Sequence, residues 1–289
     1  MDIRNIQKSG NTHYLYLPAV WCRQNSITTK SKVVLETTSE GNLLVMPYSS
    51  ERVDSTFTLN LKEHDMKIIN KFLVGAYLNP IKSFSIKIDR KITSLDILDQ
   101  KKLIGGVEVV EFGEDQIMCE SSITVEDPNV LLKTMIKKVA NMLHVMIKSS
   151  SPELLQRYEE EIDRSNILIT KSVLSSMMFR TSTKLRNIDL FYVALLSKNL
   201  EGLADNLPRL GKNHEMQKSC LDIMNLLLKI LEQMSVDGAV HFAKEVGALN
   251  ASIDKQDKTH YLAALRSHLS QLVDIIVDWT ITGEVDKNK

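Results

Sequence analysis

The sequence lacks the features that mark secreted or membrane-spanning proteins. Its three cysteines, Cys22, Cys119 and Cys220, are far apart and form no CxxC pair, a pattern typical of free thiols in a reducing compartment. No apolar run approaches the roughly 20 residues that a membrane span needs. Charged and polar residues begin at Asp2, so we expect no secretory signal. These absences predict a cytoplasmic protein that is not inserted into a membrane.

The common motifs of catalysis are missing as well. The sequence has no HExxH, no phosphate-binding GxxxxGK(S/T), no GxSxG and no pairing of cysteine with histidine at metal-ligand spacing. The double glycine at 105–106 does not have the GxGxxG spacing of a dinucleotide site. The Glu-x-x-His motif of oxidative di-metal bundles is also absent. We therefore predict that the protein is not an enzyme.

Charge is balanced over the whole chain but not along it. With 36 basic and 36 acidic residues, no overall field draws the protein to nucleic acid or lipid. Residues 1–32 nevertheless carry an excess of four positive charges, because only Asp2 opposes five basic residues. These five are Arg4, Lys8, Arg23, Lys30 and Lys32. A local basic segment of this kind is typical of contact with a phosphate backbone.

The 289 residues are enough for two domains, with a third small unit between them. Residues 1–49 predict short strands with turns at 9–11 and 39–41, and a short helix that begins at Pro18. About 45 residues with so few core positions bury too little apolar surface to fold alone. We therefore predict that this N-terminal module forms a homodimer.

Residues 50–124 predict a mixed α/β connecting domain. Helical spacing runs from Glu63 to Tyr77, a strand is expected over Ser83–Ile88, and a strand pair over 105–110 and 116–119. We assign this segment a connecting role and expect no reaction centre in it.

From Val125 onward, apolar residues recur at intervals of three and four, which predicts helices. We expect six, near residues 127–149, 152–180, 182–209, 213–235, 237–253 and 257–281, with a frayed tail at 284–289. Short loops between the helices require antiparallel neighbours, so the predicted architecture is a bundle.

A repeated acidic pattern is the most informative feature of the bundle. Glu159 and Asp163 are four residues apart, and Glu201 and Asp205 repeat this spacing on the next helix, so each pair lies on one helix face. Two such pairs on neighbouring helices repel each other, and a multivalent cation held by carboxylate oxygens would offset the repulsion. Two alternatives remain open. In one, one or both pairs face water; in the other, nearby cations neutralise them, namely Arg157, Arg164 and Lys198.

Weaker copies of the pattern follow in the second half. Asn250 to Asp254 aligns with the first pair and Ser270 to Asp274 with the second, so the bundle divides into two three-helix units. Asn250 and Ser270 stand where carboxylates would be, which leaves Asp254 and Asp274 as remnants. We expect one metal site per chain, in the first unit, or none.

These residues carry a resemblance to a known family. The bundle over residues 125–283 resembles a PhoU domain, whose two three-helix repeats carry E(D)xxxD motifs that hold iron or zinc. The best copies are Glu159/Asp163, followed by Arg164, and Glu201/Asp205. The resemblance implies that these four carboxylates bind iron or zinc, with Asp254 and Asp274 as weaker candidates.

The N-terminus resembles a second family. The stretch Ile3–Gly10, followed by 14–18 and Trp21, is similar to the AbrB/SpoVT module, in which two chains interleave hairpins into one β-barrel that grips DNA. The resemblance implies a DNA-binding surface made by Arg4, Lys8, Arg23 and Lys30. Two positions that are basic in the family are Asn11 and Cys22 here.

Both modules occur together in archaeal PhoU-type phosphate uptake regulators, which the linking segment Lys102–Val109 also resembles. The fold class implied is multi-domain α+β: a swapped-hairpin barrel over 1–49, a mixed domain over 50–124 and a six-helix bundle over 125–283. The function implied is regulation of phosphate uptake by a DNA-binding dimer. The alternative is a protein–protein modulator of a phosphate transporter ATPase or a sensor kinase, with the barrel used only for dimerisation.

Overall fold

The computed structural model describes residues 3–37, 41–48, 56–81, 83–88, 107–112, 116–121, 127–149, 151–179, 183, 185–256 and 262–287. The chain divides into two compact units, Met1–Val53 and Asp54–Lys289. The described residues form a mixed α and β structure with an all-helical C-terminal region, which confirms the predicted fold class at that level.

The first unit consists of two hairpins and a short helix. Strand β1 (Gln7–Ser9) pairs antiparallel with β2 (Thr12–Tyr14), and Gly10 between them has φ +60°, a conformation that only glycine adopts readily. Helix α1 (Ala19–Gln24) begins directly after Pro18, as predicted. Strand β3 (Val33–Thr37) pairs antiparallel with β4 (Leu43–Pro47). Residues 38–40 of the second predicted turn lie outside the described residues.

This first unit has no core of its own in a single chain. None of its described residues, 3–37 and 41–48, is buried, and large apolar side chains are exposed: Ile3 (83%), Ile6, Tyr14, Leu15, Tyr16, Val20, Val34, Leu35, Leu43 and Tyr48. Such a set gains little from the hydrophobic effect, which supplies most of the stability of a fold.

The second unit begins with a four-stranded sheet and one helix. Its strands are β5 (Thr56–Leu61), β6 (Ser83–Ile88), β7 (Val107–Phe112) and β8 (Gln116–Ser121), in the order β5-β6-β8-β7. Strands β5 and β6 are parallel, because helix α2 (Met66–Leu78) carries the chain across between them. The helix, β6 and the β7–β8 pair were predicted, whereas β5 was not; residues 102–106 lie outside the described residues.

Six helices follow among the described residues, as predicted from the apolar spacing. They are α3 (Pro128–Lys148), α4 (Pro152–Phe179), α5 (Asn187–Ala204), α6 (His214–Glu232), α7 (Val236–Gln256) and α8 (Ala263–Lys287). Residues 257–261 of the predicted last helix, and 125–126 at the predicted start of the bundle, lie outside the described residues.

Two of the predicted helices have wrong ends. The third helix was expected over 182–209, but it begins at Asn187, where Asp189 accepts a hydrogen bond from the Arg186 backbone N–H. It ends at Ala204, before a 3₁₀ helix over Leu207–Leu210, because Pro208 cannot continue an α-helix. The last helix does not fray at Glu284 but continues to Lys287, where Asp286 forms an ion pair with Arg186.

The bundle core is apolar and centred on α3. This helix packs against α4, α5 and α6, while α5 packs against α8 and α7 packs against α6 and α8. Fully buried core residues include Leu132, Ile136, Val139, Leu196, Met224, Phe242, Leu265 and Ile276. Among the described residues, no helix is long and apolar enough to cross a membrane.

A buried lysine joins the sheet layer to the bundle. Lys171 of α4 is 3% exposed, and its Nζ donates to the main-chain oxygen of Tyr77 at 2.6 Å and lies 4.0 Å from the Tyr77 ring centroid. Tyr77 is in the last turn of α2, so the lysine satisfies one of the carbonyls left free at a helix C-terminus. Burial lowers the pKa of Lys171 to about 8.

Candidate metal centre

The two strong acidic pairs of the sequence lie on neighbouring helices of the first three-helix unit. Glu159 and Asp163 are on the middle part of α4. Glu201 is in the last turn of α5, and Asp205 is the residue that caps the C-terminus of this helix. Helices α4 and α5 pack against each other. The structure therefore brings the four predicted ligand residues together.

Burial and the neighbouring carboxylates disfavour the ionised forms of three of the four residues, Glu159, Asp163 and Asp205. Burial, followed by the negative charges of Asp205 and Glu201, raises the pKa of Asp163 to about 6, although Lys198 opposes the shift. Burial and the charge of Asp205 raise the pKa of Glu159. Burial and the charge of Glu201 likewise raise the pKa of Asp205. A cation placed among these groups would remove the penalty for ionising them.

Neighbouring basic residues neutralise this acidic face only in part. The Lys198 Nζ lies 2.5 Å from Glu201 Oε2, but Lys198 is 70% exposed. Arg164 is instead bound to Glu161, on the same helix, at 2.7 Å. Arg157 is exposed and forms no ion pair with any described residue. Of the three cations that the sequence suggested as neutralising groups, only Lys198 contacts one of the four carboxylates.

A histidine from the second three-helix unit also lies at this face. His268 of α8 packs over Gly202, whose position is so close that an added Cβ would be 2.5 Å from the histidine Cε1. Burial lowers the pKa of His268, while the charges of Asp205 and Glu201 act in the opposite direction. The sequence analysis did not select His268 as a site residue. The available signal was Gly202, which leaves open space inside the second Glu-x-x-x-Asp motif.

The donor set fits a metal ion by its chemistry, although the donors are not gathered around one point. Among the described residues, no group of three or more His, Cys, Asp or Glu side chains is placed to hold an ion in the present conformations. Carboxylate oxygens with one imidazole nitrogen are ligands that iron and zinc accept. Glu159, Asp163, Glu201 and Asp205 are the residues whose oxygen atoms match this preference.

The corresponding positions of the second three-helix unit form no acidic face. Asn250 Nδ2 donates to Ser270 Oγ at 3.0 Å, so the two residues that replace glutamates are hydrogen-bonded to each other. Asp254 forms an ion pair with Arg266, and Asp274 is exposed. The second unit thus replaces two carboxylates with neutral groups and pairs a third with a cation.

The predicted DNA-binding residues are all exposed and lie in the N-terminal unit, Met1–Val53. Arg4 precedes β1, and Lys8 lies in β1 opposite His13. Arg23 is in the last turn of α1, and Lys30 donates its backbone N–H to the Thr28 hydroxyl in the turn before β3.

Comparison of the chain with protein-family models, curated proteins and solved structures finds no match.

Proposed function

We propose that this protein is a cytoplasmic, metal-binding regulator of the PhoU type that acts as a homodimer on phosphate uptake. One observation carries the proposal: Glu159, Asp163, Glu201 and Asp205 face one another on α4 and α5, and burial together with the neighbouring carboxylates raises the pKa of Glu159, Asp163 and Asp205. This is the position that the resemblance to PhoU domains assigns to iron or zinc.

A bound metal ion would supply the positive charge that this face lacks. The residues of the chain would hold the ion between two helices, because each helix provides carboxylates spaced four residues apart. The ion would therefore stabilise the contact between α4 and α5. The presence or absence of the ion would in this way change how tightly α4 and α5 are held together in the bundle.

The exposed apolar side chains of the N-terminal unit, Met1–Val53, support the proposed dimer. Its described residues include no buried side chain, and Ile3, Ile6 and Tyr16 are more than 60% exposed. A second copy of the unit would cover these side chains, as interleaved hairpins do in the AbrB/SpoVT module that the sequence resembles. Two copies of Arg4, Lys8, Arg23 and Lys30 would then give a symmetric basic surface for DNA phosphates.

Elemental analysis tests the metal part of this proposal. The purified full-length protein should contain about one iron or zinc per chain, and the double variant Glu159→Ala/Asp205→Ala should contain none. A variant with the same metal content as the parent would mean that the acidic face is a solvated surface.

A gel shift tests the DNA part. The protein should retain DNA from its own upstream region, with affinity that falls steeply as salt is raised. The Arg4→Ala/Arg23→Ala variant should lose this binding. Retention that ignores salt, or that survives in the double variant, would contradict the proposed DNA surface.

A second function is favoured by a groove on the bundle. The groove lies between α6 and α7 and is lined mostly by polar and charged side chains, among them Asp222, Lys229 and His241, with a smaller apolar part that includes Met216 and Leu249. It offers a surface on which a transporter ATPase or sensor kinase would bind. In this function the N-terminal unit, Met1–Val53, would act only as a dimer interface. Retention of a transporter ATPase without retention of DNA at physiological salt would favour this function.

A further inference from the structure

The contact between Asn199 and His268 determines which nitrogen of the imidazole carries the proton. Asn199 Nδ2 donates to the main-chain oxygen of His268 at 2.8 Å. A carbonyl oxygen only accepts, so the amide nitrogen of Asn199 must face it, and the amide oxygen must face the ring. His268 Nδ1 lies 2.7 Å from that oxygen. Because Asn199 Oδ1 also only accepts, Nδ1 is the donor.

This assignment leaves Nε2 as the nitrogen with a free lone pair in the neutral imidazole. Nε2 has no hydrogen-bond partner among the described residues. Histidines that bind metals usually have this arrangement, in which one ring nitrogen donates to an oxygen and the other is left to coordinate. Asn199, which is 5% exposed, holds the ring in place.

The free side of the ring lies at the acidic face. An added Cβ on Gly202 would be 2.8 Å from Nε2 and 2.5 Å from Cε1, so this edge of the ring lies over the backbone between Glu201 and Asp205. Both carboxylates act electrostatically on the ring. Glycine at 202 is what gives the imidazole room to approach α5.

We infer that His268 is a nitrogen ligand of the proposed metal centre, held in the binding tautomer by Asn199, and that it makes the site selective for zinc and ferrous iron over magnesium and calcium. Imidazole binds zinc and iron well, whereas magnesium and calcium prefer oxygen ligands. The inference rests on the proposed function, because it needs the carboxylate site. It also means that α8, a helix of the second three-helix unit, completes a centre whose carboxylates lie on the first three-helix unit.

Titration of the metal-free full-length protein with Co²⁺ tests this inference, because the visible absorption of Co²⁺ changes with its ligands. We expect His268→Gln to change that spectrum and to weaken Co²⁺ binding by about 10- to 100-fold or more. The binding of Mg²⁺ should not change. His241→Gln is the matched control, since His241 is an exposed histidine beside Glu245 on α7, and it should behave like the parent.

A second variant separates ligation from folding. Gly202→Ala removes no donor atom and favours the helix more than glycine does, but its Cβ would displace the His268 ring. It should reproduce the spectral change and the weaker Co²⁺ binding, with metal-free thermal unfolding no worse than that of the parent.

The possible results separate two kinds of failure. An unchanged spectrum and affinity in both His268→Gln and Gly202→Ala would overturn the inference and leave the carboxylate site standing. If the parent protein itself bound no Co²⁺, the inference and the metal part of the proposed function would fail together.

Discussion

The two three-helix units carry matching positions but handle their charge differently. In the first three-helix unit, Glu159, Asp163, Glu201 and Asp205 face one another, and burial together with the neighbouring carboxylates raises the pKa of Glu159, Asp163 and Asp205. In the second unit, a neutral Asn250–Ser270 hydrogen bond and the Asp254–Arg266 ion pair occupy the matching positions. The first arrangement costs stability in the absence of a cation, whereas the second holds no group of like charges that a cation would offset. This contrast supports the proposed binding role of the first three-helix unit.

The largest effect is expected when the first unit is given the residues of the second. Glu159→Asn combined with Glu201→Ser removes two of the four carboxylates and copies the Asn250–Ser270 pair. Metal content should fall from about one equivalent per chain to none, as measured by elemental analysis. Glu153→Asn combined with Glu215→Ser makes the same replacements in the first turns of two helices. This control should keep its metal; if it also lost metal, the acidic face would not be the cause.

The next effect concerns Asp189, a carboxylate of the first three-helix unit in which both oxygens accept hydrogen bonds. It is 8% exposed and accepts hydrogen bonds from Arg186 at 2.7 Å and from Trp279 Nε1 at 2.9 Å. Burial opposes ionisation, but these bonds lower the pKa of Asp189.

Asp189→Ala should therefore lower the free energy of unfolding by about 3 kcal/mol, since Arg186 keeps only its ion pair with Asp286 and the buried Trp279 Nε1–H loses its acceptor. Urea unfolding measures this loss. Asp278→Ala, on the exposed surface of α8, should change stability by less than about 0.5 kcal/mol. Equal losses in the two variants would contradict the assigned role of Asp189.

A smaller effect of opposite sign is expected at Asp163. Its pKa is raised to about 6 in the folded chain, so its ionisation weakens the folded state as the pH rises from about 4 through 6. In the metal-free protein, Asp163→Asn should gain about 1 to 2 kcal/mol at pH 7, after allowance for solvent screening.

The same variant should show no gain at about pH 3, below the ordinary pKa of aspartate, where this group is largely protonated in both the folded and the unfolded chain. Urea unfolding at the two pH values in the presence of a chelator measures the difference. A gain that is independent of pH would show that repulsion among the carboxylates is not its origin.

The smallest effect is expected at the Asp254–Arg266 ion pair of the second unit. Both side chains are at least one third exposed, and exposed ion pairs contribute little. Arg266→Ala should cost about 0.5 kcal/mol at low salt and less at high salt, as thermal unfolding can measure. The variant should bind no additional metal. A second metal equivalent would mean that the arginine alone separates the two units in function.

Local patterns predicted most of the helices and the membership of the acidic face. Apolar spacing located α3 to α8, and the spacing of four within each acidic pair placed both carboxylates on one side of a helix. These features depend on residues close together in sequence, which is why they can be read without the fold.

The helix ends at Asn187 and Ala204 depend on residues nearby in sequence, but the other errors and omissions involve contacts between distant residues. The tail of α8 is ordered because Asp286 pairs with Arg186, one hundred positions earlier. Strand β5 was missed because its partner β6 lies beyond α2. His268 was not selected because its neighbours, Asn199 and Gly202, are on another helix.

The Lys171–Tyr77 contact has a consequence for how this chain can be inherited or recombined. The boundary between the sheet layer and the bundle is clear in the sequence, yet an ammonium group on α4 depends on the last turn of α2 for its hydrogen bond. A bundle exchanged between relatives without residues 66–78 would carry a lysine whose partner stayed behind. We therefore expect α2 and α4 to be exchanged together, because Lys171 on α4 needs the Tyr77 carbonyl of α2.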